Sequence, residues 1–255
     1  MRQGPNPAGV RIFEGTVGLG LPRQAFYVLT DTPCPYLPGR RERKLITEID
    51  GPEPAHHYSL LSRAGFRRSH HFAYRPACAG CTACVPVRVP VRDFGMSRSQ
   101  KRVWQANADL RPREGPPRAT AEQYELFARY ISSRHGDGEM AAMTFADYRG
   151  MVEHSRIDTR IAEFRDREAR LVAACLVDWL EDGPSAVYSF FDPELSRRSL
   201  GTYMILWLIE AALARRLPYA YLGYWIGESP KMAYKIRFRP LEAFGADGWE
   251  VMAGD

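Results

Sequence analysis

Lysine is nearly missing from this chain: Lys44, Lys101, Lys231 and Lys235 are the only four among 35 basic residues, which leaves 31 arginines. Its basic character is therefore not that of flexible ammonium groups spread for solubility but of planar guanidinium forks, which match phosphate and carboxylate oxygens. Long apolar runs are missing as well. The best of them, over 200–213, is broken by Glu210 and falls short of the roughly 20 apolar residues that span a bilayer, so no membrane partner is expected. Arg2 and Arg11 stand among prolines and glycines with no apolar stretch behind them, so no secretory signal is expected and the cytoplasm is the expected location. Cysteine numbers only 5, and in a reducing compartment these would stay thiols. There is no Gly-x-Ser-x-Gly elbow and no convincing Ser-His-Asp triad, which argues against a covalent acyl-enzyme.

What is present divides the chain. With 255 residues and 45% hydrophobic content it can build two modest cores or one large one. Residues 1–118 hold 19 basic and 9 acidic residues, net +10, whereas 119–255 hold 16 basic and 21 acidic, net −5. A codon preference for arginine with a solvated face would give such a count, and so would a first half that meets phosphate in a nucleic acid. The sharpest local pattern lies in the second half. Residues 187–191 read as a strand, Asp192-Pro193 as a turn and 200–213 as a helix whose first turn holds Arg198, Ser199 and Gly201. A small residue there either permits close helix packing or lets a ligand reach backbone N–H groups that lack helical partners, which makes an anion site.

Taken in order, residues 1–22 read as an irregular lead-in, 24–29 as a strand, and 31–40, with three prolines and a glycine, as a loop. A helix is expected over 55–64, a strand over 66–74 and, because valines alternate with Arg and Pro, an edge strand over 85–91. Between those strands stand Cys78, Cys81 and Cys84, spaced three apart, and the loop around Cys34 can add a fourth thiol. This set either holds zinc or an iron-sulfur cluster or serves as buried packing thiols. Ser97 caps a short basic helix to Ala106, 111–118 reads as a linker, and Thr120 to Gln123 form a capping box that opens a second domain. The expected division is 1–110, 111–118 and 119–255. Strands near 159–164, 169–180 and 219–226 and a short helix over 231–236 complete the pattern.

The succession of helices, antiparallel strands, one strand running into a helix with Arg-x-x-Gly, then strand, helix and strand resembles the N-acetyltransferase (GNAT) fold. The expectation is an α/β (α+β) protein: a GNAT-like mixed sheet flanked by helices, preceded by a cysteine-containing α/β domain. More specific are Asp31-Thr-Pro-Cys-Pro-Tyr-Leu-Pro-Gly39, Tyr74-Arg-Pro-Ala-Cys-Ala-Gly-Cys81, Tyr188-Ser-Phe-Phe-Asp-Pro193, Ser199-Leu-Gly-Thr-Tyr203, Tyr221-Leu-Gly-Tyr-Trp-Ile226 and Lys231-Met-Ala-Tyr-Lys235. Over about 20–245 these resemble the bacterial aspartate/glutamate leucyltransferases, relatives of eukaryotic arginyl-tRNA–protein transferases.

The resemblance implies transfer of an aminoacyl group, leucyl or arginyl, from charged tRNA to the α-amino group of proteins that begin with Asp or Glu, marking them for N-degron proteolysis. No cofactor is required for that chemistry. In eukaryotic relatives the cysteine loops are associated with iron-sulfur binding through Cys-x-x-Cys and Cys-Cys pairs. This chain departs, with one cysteine in the first loop and three in the second. Tyr188, Ser189 and Tyr224 are then expected to polarise the reacting groups, and Arg198, Ser199 and Gly201 to hold the tRNA 3′ end. Lys231 and Tyr234, or else Arg40 and Arg41, are expected to receive the acceptor's acid. Asp178, Asp192 and Glu228 are the acids open to an arginyl donor. A CoA-dependent N-acyltransferase and a metal-stabilised RNA-binding module are the rival readings.

Overall fold

The computed structural model describes residues 11–14, 24–135 and 139–253. A first sheet is antiparallel throughout and has the order β1-β2-β5-β7-β6, from β1 (Arg11–Glu14), β2 (Ala25–Val28), β5 (Lys44–Glu48), β6 (Arg67–Ser69) and β7 (Phe72–Pro76). A two-stranded ladder of β3 (Thr32–Pro33) and β4 (Arg41–Glu42) closes the proline loop, and helix α1 (Pro54–Arg63) follows β5. The second sheet has eight strands in the order β15-β14-β8-β13-β12-β11-β10-β9. It is built from β8 (Val85–Pro90), β9 (Arg111–Gly115), β10 (Thr159–Arg165), β11 (Leu171–Leu180), β12 (Gly183–Phe191), β13 (Tyr219–Trp225), β14 (Glu242–Gly245) and β15 (Gly248–Val251). Its pairs are antiparallel except β12 with β13, which the helix α5 (Leu200–Ala214) joins as a parallel crossover.

Two helix layers cover the large sheet. On one face, α3 (Ala121–His135) and α4 (Phe145–Glu153) bury Leu126, Phe127, Ile131, Tyr148 and Val152 against Ile161, Leu176 and Phe190. On the other, α5 sets Leu200, Tyr203, Met204 and Leu208 against Phe164, Val172 and Cys175, joined by α2 (Arg98–Ala106). β11 is buried along all ten residues because helices cover both its faces, which is why it reads as a continuous apolar run. The GNAT-like mixed sheet flanked by helices is thus present. Among the described residues no helix is long and apolar enough to cross a membrane.

Several local expectations change. The lead-in over 1–22 lies outside the described residues except at 11–14, where the backbone is a strand. Residues 66–74 form a hairpin instead of one strand, turned where His70 adopts φ 57°. Residues 111–115, expected as linker, are strand β9 against β10. The prolines of β8 suggested an edge, yet β8 lies between β13 and β14. Its pairing with β14 is confined to Arg88 and Val87, between Pro86 and Pro90, so neither missing N–H interrupts that short ladder. The 119–255 sheet therefore takes central strand β8 from the N-terminal half, and the two halves are not separable along the expected division.

The join between the sheets is charged. Arg68 of β6 donates to both oxygens of Asp178 on β11, Nε to Oδ2 at 2.7 Å and Nη2 to Oδ1 at 2.8 Å, and Thr159 Oγ1 donates to the same carboxylate at 2.7 Å. The side chains are 1% and 0% exposed. A buried pair contributes little against an apolar replacement, but removing one partner strands a charge. Asp178→Asn is therefore expected to lower the unfolding free energy by about 3–5 kcal/mol, read as a shift in the urea midpoint. A loss below about 1 kcal/mol, the range of an exposed pair, would show that this contact does not join the sheets.

Candidate active site

The two parallel strands part almost as soon as they meet. Ser185 and Tyr221 are their one register pair; beyond it β12 pairs only with β11 and β13 only with β8. Each strand carries a bulge at the fork, with Val187 extra between Tyr188 and Ala186, and Leu222 extra between Tyr221 and Gly223. Bulges bend a strand and leave a residue unpaired, so two edges of backbone groups face one another across a gap.

Arg67 fills part of that gap from the first sheet. Its Nη2 donates to Ala186 O at 2.5 Å and Val187 O at 3.1 Å. On the opposite strand Gly223 has φ 77°, and a Cβ there would lie 1.3 Å from Arg67 Nη1. Glycine is thus demanded twice at 223, by its backbone angle and by the guanidinium against its Cα. Tyr36, Tyr58, Tyr74 and Tyr224 surround this cation, and among the described residues no carboxylate is ion-paired with it.

A second basic group lies beside it. Lys235 is 6% exposed, and its Nζ donates to Tyr224 O at 2.6 Å, with Met232 Sδ at 3.8 Å. Burial, and then the neighbouring Arg67, pull its pKa well below that of an ordinary lysine. Neither Arg67 nor Lys235 stands out by spacing. The available signal was Gly223 inside an aromatic strand, which indicates a bulge or a close approach, and the pairing of Arg67 with Arg68 in a half-buried strand.

The expected catalytic residues divide. Tyr224 donates toward Tyr74 O at 3.0 Å and Gly65 O at 3.2 Å, so its hydroxyl already ties the strands together; burial, and then Tyr74, raise its pKa. Tyr188 and Ser189 lie on the open edge of β12, half-buried, and among the described residues their hydroxyls make no hydrogen bond to protein. The Tyr188 ring packs on Phe127 at 5.9 Å, and burial, then Tyr130 and Tyr36 nearby, raise its pKa.

At the end of β12 the chain turns into α5. Arg198, expected to hold phosphate, is occupied: its Nε donates to Asn107 Oδ1 at 3.0 Å, and Nη2 to Ala106 O at 3.3 Å and to Asp109. Buried Asn107 returns a bond to Arg198 O at 2.8 Å. Arg198 therefore fixes where α5 begins. Ser199 is exposed, with φ 50°, and a Cβ on Gly201 would meet Phe191 at 3.3 Å. At the start of this 15-residue helix Ser199 is exposed and Leu200 buried, and the Leu200 and Gly201 N–H groups stand outside the helical ladder.

The expected acceptor set is dispersed. The helix expected over 231–236 is a single 3-10 segment, Ala233–Arg237, so Lys231 does not stand in a helical first turn. Lys231 Nζ donates to Arg134 O at 3.1 Å. Tyr234 is half-buried, its pKa pushed up to about 12 by burial and then Tyr130. Arg41 donates to Asp31 O at 2.6 Å, and Arg40 reaches Glu228 at 3.2 Å and Cys81 Sγ at 3.4 Å.

Cys34, Cys78, Cys81 and Cys84 line one cleft with Tyr36, Tyr74 and Tyr224. Burial, then the three other thiols, push Cys84 up to about 12. Cys78 accepts from Arg43 N at 3.4 Å and Cys81 from Arg40. Among the described residues, no three His, Cys, Asp or Glu side chains are arranged to hold a metal ion. The thiols share a cleft without converging, and no chemical step is assigned to a metal there.

Parted parallel strands in a mixed sheet, joined by a helix crossover and covered by helices, make a GNAT-like fold. Residues 32–102 match the family described as Arginine-tRNA-protein transferase, N terminus, and residues 122–245 its C terminus. The aspartate/glutamate leucyltransferase of Paramagnetospirillum magneticum is 58% identical over 89% of this chain and 93% of its own length. That of Rhodospirillum rubrum is 55% identical over 88% and 92%. The solved structure of L-PGS from Bacillus licheniformis overlaps 56% of this chain and 47% of its own, with 11% identity and a TM-score of 0.45. The chain belongs to the arginine-tRNA-protein transferase family, among its aspartate/glutamate leucyltransferases.

The thiols are expected to differ in reactivity. The Ala83 N–H, then Arg40, lower the Cys81 pKa, whereas burial holds Cys84 and Cys175 up near about 12. Because the thiolate is the nucleophile, iodoacetamide at pH 7.5 should label Cys81 first and Cys175 last by peptide mass spectrometry. Equal rates at Cys81 and Cys84 would contradict this electrostatic reading of the cleft.

Proposed function

We infer that the protein transfers leucine from leucyl-tRNA to the α-amino group of proteins beginning with Asp or Glu, marking them for N-degron proteolysis in the cytoplasm. The observation that carries this is the open edge of β12, where the backbone of Tyr188 and Ser189 has no partner in β13 and their side chains stand on opposite faces of the sheet, in the strand that leads to the start of α5. The relatives named above support it along most of the chain.

The reaction needs little from the protein besides placement. An aminoacyl ester is already activated, and an α-amine with a pKa of about 7.7–8.0 gives up its proton easily. The amine lone pair attacks the ester carbonyl carbon, the carbon–oxygen bond to the ribose breaks, and the amine's proton ends on the departing 3′ oxygen. Holding the two reactants together supplies much of the rate, and donors facing the developing oxyanion supply more. In this reading the free hydroxyls of Tyr188 and Ser189 polarise the reacting groups and the α5 amides receive the 3′-terminal phosphates.

Leucine fits the side-chain inventory. Asp178 is bound by Arg68, Glu228 lies 3.2 Å from Arg40 and Asp192 3.7 Å from Arg129, so each of the three candidate acids already faces an arginine of this chain. The tRNA body would meet α2, whose Arg98, Lys101 and Arg102 are exposed and, among the described residues, make no ion pair.

Purified protein given leucyl- or arginyl-tRNA and an Asp-starting peptide should add leucine, and no arginine, to that peptide by mass spectrometry. Arginine addition, or no addition from either donor, overturns the reading. Affinity for tRNA should also fall linearly in log–log form with salt, and replacing Arg98, Lys101 and Arg102 by Ala should reduce that slope by about 2–3. A salt-insensitive affinity would contradict a phosphate contact at α2.

A further inference from the structure

Arg67 presents an imbalance that the fold does not resolve. Buried cations are kept with a carboxylate partner, as Arg68 is with Asp178 one residue later; Arg67 is half-buried. Arg67 has two backbone carbonyls and a ring of tyrosines, and Lys235 beside it has one carbonyl and a thioether. Among the described residues, two basic groups thus adjoin without an ion-paired acid, where the strands are held apart and Gly223, lacking a Cβ, makes room for the guanidinium. Arg67 Nε and Nη1 make no hydrogen bond among the described residues, and neither is sealed from solvent as an orphaned donor. A guanidinium stays charged in this setting, so what the site lacks is a carboxylate.

We propose that Arg67 receives the side-chain carboxylate of the acceptor's N-terminal Asp or Glu, with Lys235 as the second basic group of that subsite. This rests on the reading of the protein as an aminoacyl transferase to acidic N-termini and names the residue that reads the acid. Arg67 is fastened to Ala186 and Val187, immediately before Tyr188 and Ser189. A carboxylate accepting from Arg67 Nε brings the α-amine of the same residue, a few bonds away, to the open edge of β12. Recognition and placement of the nucleophile are then one contact. Asparagine and glutamine, equal in shape but neutral, leave the two basic groups uncompensated, and a polar site left unpaired rejects its wrong ligand strongly.

The test compares Asp- and Asn-starting peptides of otherwise identical sequence. In the wild-type protein kcat/KM should favour Asp by about 100-fold or more; in Arg67→Gln, which keeps a donor for the backbone carbonyls, that ratio should collapse to within a few-fold of one, and in Arg67→Lys it should be largely kept. A ratio undiminished in Arg67→Gln overturns the assignment. Wild-type protein that transfers to neither peptide overturns the underlying function instead. Should the variants fail to fold, wild-type protein decides by itself. Phenylglyoxal modification of Arg67, read by mass spectrometry, should slow at least tenfold with saturating Asp-starting peptide and not with the Asn-starting one. Equal protection by both, or protection of Arg40 and Arg41 in place of Arg67, overturns the proposal.

Discussion

A single guanidinium keeps the central sheet open. Parallel neighbours in a mixed sheet would normally continue their ladder, but β12 and β13 stop after Ser185 and Tyr221 because Arg67 takes the carbonyls of Ala186 and Val187. Gly223 is shaped to this intrusion, and the bulges at Val187 and Leu222 turn both strands away from each other. The unbonded hydroxyls of half-buried Tyr188 and Ser189, the buried Lys235 and the mouth at Ser199 all follow from that gap. Without Arg67 the backbone groups of 186 and 187 would need other partners, since buried N–H and C=O groups rarely stay alone.

Arg67 comes from the other half of the chain, which ties the site to the way the halves join. Successive residues of a strand point to opposite faces, so Arg67 and Arg68 of the short β6 leave their sheet in different directions. Arg68 meets a buried acid and fastens the two sheets together; among the described residues Arg67 is ion-paired with none. With β8 inserted between β13 and β14, the N-terminal half builds part of the sheet that frames the gap. The cysteine cleft touches the same locus through Tyr36, Tyr74 and Tyr224, so a change of state at the thiols would be felt at the walls of the gap.

Much of this was legible in the sequence. The strand–turn–helix of 187–213 follows from aromatic and apolar patterning and from Asp192-Pro193, and helix α2 begins at its predicted capping residue, Ser97. What escaped was non-local. Nothing in the spacing of Arg198 tells that Asn107 and Asp109 hold it, nor does Lys231 announce the carbonyl of Arg134. The prolines of β8 argued for an edge because local rules cannot anticipate a ladder short enough to pass between them. Residues 111–115 looked like linker because exposed edge strands carry polar residues as loops do. The cysteines stood out by spacing, yet the basic groups at the centre of the site did not, because a buried cation is defined by what fails to surround it.

The most direct test of the account is where the reactants meet. A non-hydrolysable donor, leucine joined by an amide to a 3′-amino-terminated tRNA acceptor stem, bound to the protein together with an Asp-starting peptide, can be mapped by hydrogen–deuterium exchange. Protection is expected at the open edge of β12 over 186–189 and at the start of α5 over 199–202, with smaller changes elsewhere. Protection confined to the cysteine cleft over 34–44 and 78–84, with the β12 edge exchanging as in the free protein, would contradict the parted strands as the site of transfer.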